Sequence, residues 1–439
     1  MSIFRTFASI SLLIATAIGA SAEDLIDQQT RAAIESHKLV YLDGKGDSLE
    51  QRRDIDSMRR VVSKFFYDQF QHFLDPAAPY FMLMSKDAGL SLGIGGAVRM
   101  RAYYDWGGSP NNAGFSPMLL PMTADPTSRR SLNATPSGTC FFVRLIGQND
   151  VIGEYQLYVE TDFTGYQGRD LKLKKAYAMV RDFTVGYATS TFADPAAEPA
   201  MVDAAGPNNK VGPTSVLVRY MPTIKDRWVV AVSAELPSTA ADVDNTNNAK
   251  VRDYLPDFAA FAQYQWSESQ HVRLSGMVRT LPYRNLLTKI NHNVVGWGLQ
   301  LSAVCHPTSH LTTYLTANYG HGYGSMGGDL QLGNYDLISV SPDAGQMYAP
   351  ASWGWCAGLQ YNFKPNLFMT LIGSQTRFAP SHTVSPDTYK TGLLGAANLF
   401  WLITPRLTTG LEFCLGHRLD FSGDKHTSYR MGAMCMFSF

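Results

Sequence analysis

Eight basic residues of this 439-residue chain lie in segments where polar and apolar side chains alternate: Arg99, Arg101, Arg144, Lys172, Lys174, Arg219, Arg273 and Arg279. A period of two puts every second residue on one face of a strand. Parity therefore places all eight on polar faces. Fixed cations along a narrow aqueous space lower the cost of an anion leaving bulk water. Arginine adds a planar fork that holds a carboxylate through two hydrogen bonds. The chemistry these residues fit is electrostatic solute binding, with no bond made or broken.

Three acids fall in one stretch, residues 189–209 (TSTFADPAAEPAMVDAAGPNN), which follows an alternating run at 183–192. The stretch breaks the pattern with Pro195, Pro199, Gly206 and Pro207, stays largely apolar, and carries Asp194, Glu198 and Asp203. A segment of this composition is expected to fold inward, giving a constriction loop at 193–213 whose acids face the basic wall. Two readings of the cations stay open. They line an anion path, or Glu154, Glu160 and Asp162 on the intervening strand neutralise them as cross-strand ion pairs.

Other chemistry is thinly represented. Residues 242–248 (DVDNTNN) lack the glycine and closing glutamate of a calcium loop. His306 and His310 straddle a turn without a third ligand. The five cysteines, Cys140, Cys305, Cys356, Cys414 and Cys435, are odd in number and fit no zinc spacing, so no structural disulfide is expected. No catalytic residue, metal or cofactor is predicted. A nucleophile–histidine pair that meets only in space keeps a barrel hydrolase open as a lesser alternative. With 37 basic and 37 acidic residues the chain lacks the basic excess of a nucleic-acid binder.

The elements that position these residues differ along the chain. Arg5, an apolar run at 7–18 and Ala20-Ser21-Ala22 form a signal peptide over 1–22. Residues 23–78 read as a periplasmic helical extension, with helices over 23–38 and 48–74. In the second, Ile55, Met58, Val62, Phe65 and Phe73 make an apolar stripe at helical spacing. No later stretch reaches the roughly 18 apolar residues of a membrane helix. Instead about sixteen alternating segments fill 90–439, joined by connections that alternate tight and long. That asymmetry is the mark of an outer-membrane barrel. Leu157, Val159, Val216, Val218, Leu299, Leu301, Leu311, Leu315 and Leu411 would face lipid. Inward neighbours such as Gln156, Gln300, Thr312 and Glu412 would be costly in a dry core and cheap in a wet lumen. Trp228, Trp266 and Trp401 near tight turns, with Trp106, Trp297 and Trp353 near long loops, would form two aromatic girdles.

Residues 186–209 (GYATSTFADPAAEPAMVDAAGPNN) resemble a segment of the DcaP-like outer-membrane channels, in which a strand ends in a T-F pair followed by D-P, a proline, an acid and G-P-N. Residues 171–180 (LKLKKAYAMV) resemble that family's preceding strand, and 92–105 its first strand. The resemblance implies a sixteen-stranded antiparallel barrel, assembled as a homotrimer in outer-membrane lipid and passing small anionic solutes, dicarboxylates included. It also implies a periplasmic extension that associates between protomers. The expectation is a passive porin of the bacterial outer membrane for small hydrophilic, preferably anionic solutes. The alternative is a structural or adhesive barrel with a blocked lumen.

Overall fold

The computed structural model describes residues 38–41, 55–62, 65, 73, 81–85, 89–165, 168–225, 227–267 and 269–439. The expected signal peptide and nearly all of the expected first helix lie outside them. Sixteen antiparallel strands, each paired to the next, build the wall. The first eight are β1 Leu90–Trp106, β2 Cys140–Asn149, β3 Gly153–Thr164, β4 Asp170–Val180, β5 Phe183–Thr189, β6 Thr214–Tyr220, β7 Trp228–Glu235 and β8 Asp257–Ser267. The rest are β9 Gln270–Asn285, β10 Ile290–Thr308, β11 Leu311–His321, β12 Ala351–Lys364, β13 Leu367–Ala379, β14 Tyr389–Leu402, β15 Leu407–Asp420 and β16 Lys425–Ser438. Short strands join them in one 21-stranded sheet. The last wall strand pairs with the first, from Tyr429↔Trp106 to Ser438↔Ala97, and so closes the barrel. Closure pairs each wall strand on both sides, the condition for β-structure surrounded by hydrocarbon.

The strands alternate as read. Val98, Met100, Leu157, Val159, Val216, Val218, Leu299, Leu301 and Leu411 are exposed on the outer face. Arg101, Arg144, Gln156, Arg219, Gln300, Thr312 and Glu412 are buried on the inner one. Outward apolar side chains next to inward polar ones suit hydrocarbon outside and a polar interior. One strand departs from simple parity. The register shifts from Glu160↔Lys175 to Thr161↔Leu173, so one extra residue enters β4. A bulge of this kind re-aims the side chains beyond it. Lys175, Tyr177 and Met179 are therefore buried inside, although plain counting from Lys172 and Lys174 turns them outward.

The segment before the barrel is folded onto the wall. Residues 55–62 are helical, as are Phe65 and Phe73. Met58, Val61, Val62 and Phe65 are buried together with the inward residues Phe142, Ile146, Tyr158, Tyr177, Met179 and Leu217. Each such side chain contributes roughly 1.5–3 kcal/mol relative to being exposed. Asp56, Arg59 and Arg60 lie on the opposite, exposed face of the helix. The sequence stripe thus marks the buried face, but it lies on the inner wall near the tight turns and does not stand clear of the barrel. A short strand, Phe81–Met84, then pairs with the start of β1, Met82 facing Gly93. Lys38–Tyr41 adds to it in parallel. β1 starts seven residues before the point where β16 meets it, Ser438 facing Ala97. The added strand covers part of that otherwise open edge.

Candidate functional site

The loop after β5 leaves the wall at Thr189 and returns at Thr214. Its base is closed by the Ser190 N–H, which donates to the Pro213 carbonyl at 3.0 Å. Arg219 holds the departing chain through the Thr191 hydroxyl at 2.9 Å and the Thr189 carbonyl. Four prolines bar regular hydrogen bonding along much of the loop, so the side chains of the wall supply its partners. Phe192, Ala193, Asp194, Ala197, Val202, Asn208 and Asn209 are all buried.

The three acids have distinct partners. Asp194 Oδ2 lies 2.8 Å from His271 Nε2 on β9 and accepts from the Ser302 hydroxyl on β10. Arg273 Nη1 lies 3.4 Å from Asp194 Oδ1 and donates to the Ala193 carbonyl at 2.8 Å. Burial alone would raise the Asp194 pKa. Arg273, His271 and the two hydrogen bonds outweigh it and hold the carboxyl well below the usual carboxylate range. Glu198 pairs with Lys210 of the same loop at 2.7 Å. Burial pushes its carboxyl up, against the pull of that lysine. Asp203 accepts from Arg430 on β16 at 3.0 Å and from the Phe115 N–H at 2.9 Å. The acids thus meet His271, Arg273, Lys210 and Arg430. The sequence had set them against the cations of the early strands.

Backbone contacts fix the rest of the loop. Glu412 on β15 accepts from the N–H groups of Val202 and Asp203 at 3.0 and 2.8 Å. Asn208 donates to Asp329 at 3.1 Å and to the Gly392 carbonyl at 3.0 Å, and Asn209 donates to Thr316 at 2.9 Å. Asp329 belongs to the long connection after β11 and also accepts from Ser116 and Tyr389, each at 2.6 Å. Burial raises its pKa, opposed by those donors. Residues 107–129, 189–213 and 321–350 therefore interlock within the lumen.

The eight predicted cations all point inward but divide into groups. Arg273 and Arg279 are taken up by acids, Arg279 lying between Asp257 at 2.9 Å and Asp336 at 3.1 Å. Lys174 pairs with Glu160 at 2.8 Å, and Lys172 faces Asp162 in the register. These residues fit the ion-pair ladder. Arg144 and Arg219 lie over aromatic rings, Tyr158 at 4.8 Å and Phe73 at 4.0 Å. Arg99 and Arg101 differ from the rest. Arg101 donates to the carbonyls of Val202, at 2.7 Å, and Ser137. Arg99 donates to Met436 Sδ at 2.9 Å. Among the described residues neither makes a salt bridge to a carboxylate. Gly138, at φ +84°, lets both guanidinium groups approach, since a Cβ there would lie 2.9 Å from the Nη1 of each. The two charges therefore sit side by side next to the loop, with Asp162 acting on Arg99 and Asp203 and Glu412 on Arg101 through space, none of them in a salt bridge with either.

Reading the sequence missed Arg430, His271, Lys210, Asp329 and the inward turn of Lys175. Arg430 was accessible by parity, since Met431, Ala433, Cys435 and Phe437 mark the opposite face of β16. Of the two histidines considered for metal, His306 bonds Ser269 and Thr312, each at 2.8 Å, and His310 faces a backbone carbonyl. The five cysteines are free.

A model of the DcaP outer membrane protein family matches residues 84–439. No curated protein matches the chain. The solved outer membrane channel DcaP of Acinetobacter baumannii is 21% identical, with a TM-score of 0.69, over 81% of this chain and 99% of that one. An anion-selective porin from Comamonas acidovorans is 8% identical at a TM-score of 0.54, over 80% and 100% of the two chains. The trimer form of OmpT, an outer membrane protein of Vibrio cholerae, is 8% identical at 0.50, over 80% and 100%. These likenesses are of fold.

Proposed function

The chain belongs to the DcaP outer membrane protein family, and from that premise we propose that it is a passive channel for small hydrophilic solutes with a preference for anionic carboxylates. The observation that carries the preference is the pair Arg99 and Arg101, turned into the lumen beside the infolded loop without a carboxylate partner among the described residues. Two adjacent guanidinium groups attract an anion and can share its oxygens, and contacts to carbonyls and sulfur leave their net charge in place. Each acid of the loop is paired with His271, Arg273, Lys210 or Arg430, so Asp203, which also acts on Arg101 from a distance, is shared with Arg430 and offsets only part of that charge. An outer membrane channel and an anion-selective porin are among the similar structures, which supports the reading. We place the chain in the outer membrane, with the tight turns and the N-terminal segment on the periplasmic side, as a homotrimer like that of the trimeric OmpT form. No catalytic role is assigned.

Purified protein in planar bilayers tests this: discrete conductance steps with an anion-side reversal potential are expected, and cation preference overturns the selectivity. A blocked structural barrel is the second reading, favoured by the interlocking of three long loops inside the lumen. Swelling of proteoliposomes in small carboxylates separates the two, since a blocked barrel gives none.

A further inference from the structure

We infer that the segment containing residues 55–62, Phe65 and Phe73 is a plug seated inside the lumen at the tight-turn end, and that Arg59 and Arg60 on its free face join the lining of the solute path. The inference rests on the channel reading above and adds a second constriction to it, on the side opposite the long loops.

Two observations carry it independently. The first is the inner wall itself. A water-filled lumen favours polar inward residues, and β10 to β14 supply them as Gln300, Thr312, Thr370 and Asn398. On β2 to β8 the inward residues include an apolar set, Phe142, Ile146, Tyr158, Met179, Val229 and Phe261, between polar ones such as Gln156 and Gln263. An apolar patch of this extent facing water would be unfavourable unless something covers it. The second is what covers it. Met58, Val62 and Phe65, each at most 2% exposed, belong to the same cluster as the wall residues of β2 to β6. Phe73 extends the cover to Val229, Ala231 and Phe261 on β7 and β8, and its ring lies 4.0 Å from the Arg219 guanidinium. The strand Phe81–Met84, paired to β1, anchors the segment at the seam. The cover therefore spans seven consecutive strands of the sixteen.

A helix lying on one side of the lumen leaves its other face to the remaining space. That face carries Asp56, Arg59 and Arg60, all exposed, with Arg59 3.6 Å from Asp56. Among the described residues the excess of one positive charge there has the sign of the Arg99 and Arg101 pair at the other constriction. An anion would meet cations at both narrow points, an arrangement of successive weak sites that favours passage over capture.

Single-channel recording of the full chain and three variants tests the plug. Deleting residues 55–73, or introducing M58D with V62D to expel the helix, should enlarge the conductance step. R59E with R60E leaves the packed face untouched and should shift the reversal potential toward cations at an unchanged step. Identical steps and reversal potentials in all four proteins would overturn the inference. A full chain that is silent while the deletion conducts would uphold the plug and overturn passive conduction by the intact protein. Independently of conduction, V62C in a chain whose native cysteines are serine should resist a maleimide reagent in the folded barrel. Labelling at the rate of the unfolded chain would overturn the seating.

Discussion

Asp194 on the infolded loop and His271 on β9 are 77 residues apart in the chain and 2.8 Å apart in the barrel. With Arg273 and Ser302 they lock the loop to β9 and β10, away from the strands it springs from. Because Asp194 is an ion, His271 Nε2 carries the proton of that bond.

Removing this charge should be costly. D194N keeps the shape but leaves the buried guanidinium of Arg273 without its counter-ion. Loss of one partner of a buried pair costs about 3–5 kcal/mol. The unfolding midpoint in urea should fall accordingly. An unchanged midpoint would mean that the loop is held by its other contacts alone.

The same site sets an acid limit. Asp194 is held below its ordinary value in the folded barrel, so the folded state binds its proton less readily than the unfolded chain does. Its contribution is complete above the unfolded value of about 3.9 and is lost as pH falls toward the folded one. Urea midpoints measured from neutral to acid pH should show a decline below about pH 4 that D194N lacks. Parallel profiles would exclude Asp194 as its source.

Glu412 holds the far end of the loop. E412A would leave the N–H groups of Val202 and Asp203 without their acceptor, at about 1–3 kcal/mol for each buried donor. The current through the open channel should become noisier as the loop loosens. A quiet trace with a normal midpoint would show that Asp203 and Arg430 suffice.

Gly212 closes the loop at φ +114°, where an added Cβ would lie 2.0 Å from the Cβ of Ala193. G212A should therefore unseat the loop base, combining overpacking of about 1–3 kcal/mol with backbone strain. A shift in single-channel conductance larger than that from alanine at the exposed Ala205 neighbour Gly206 checks it, because an added Cβ at Gly206 meets only the flexible Lys210 side chain at 3.7 Å.

Much of this architecture was legible in the sequence, for physical reasons. Sixteen strands follow from period-two alternation, and the inward loop follows from prolines and buried acids in an apolar stretch. The stripe of Met58, Val62 and Phe65 announces a buried helix face. What it covers was not legible, because Phe142, Tyr158 and Tyr177 read as ordinary strand aromatics until closure brings seven strands around one helix. The inward turn of Lys175 was not legible because a bulge leaves no trace in an alternating pattern. The partners of Asp194 and Asp203 escaped because pairing across a barrel depends on which strands face each other. Sequence order gives only which strands are adjacent.

Arg99 and Arg101 are cations beside the infolded loop that make no salt bridge among the described residues. The most direct measurement is the single-channel reversal potential across a KCl gradient for the parent, for R99Q with R101Q, and for R279Q. The parent should reverse on the anion side, and the double variant should move toward zero. R279Q, whose charge is shared between Asp257 and Asp336, should lose stability and should not gain anion selectivity. A parent that prefers cations, or a double variant that reverses where the parent does, would contradict the account.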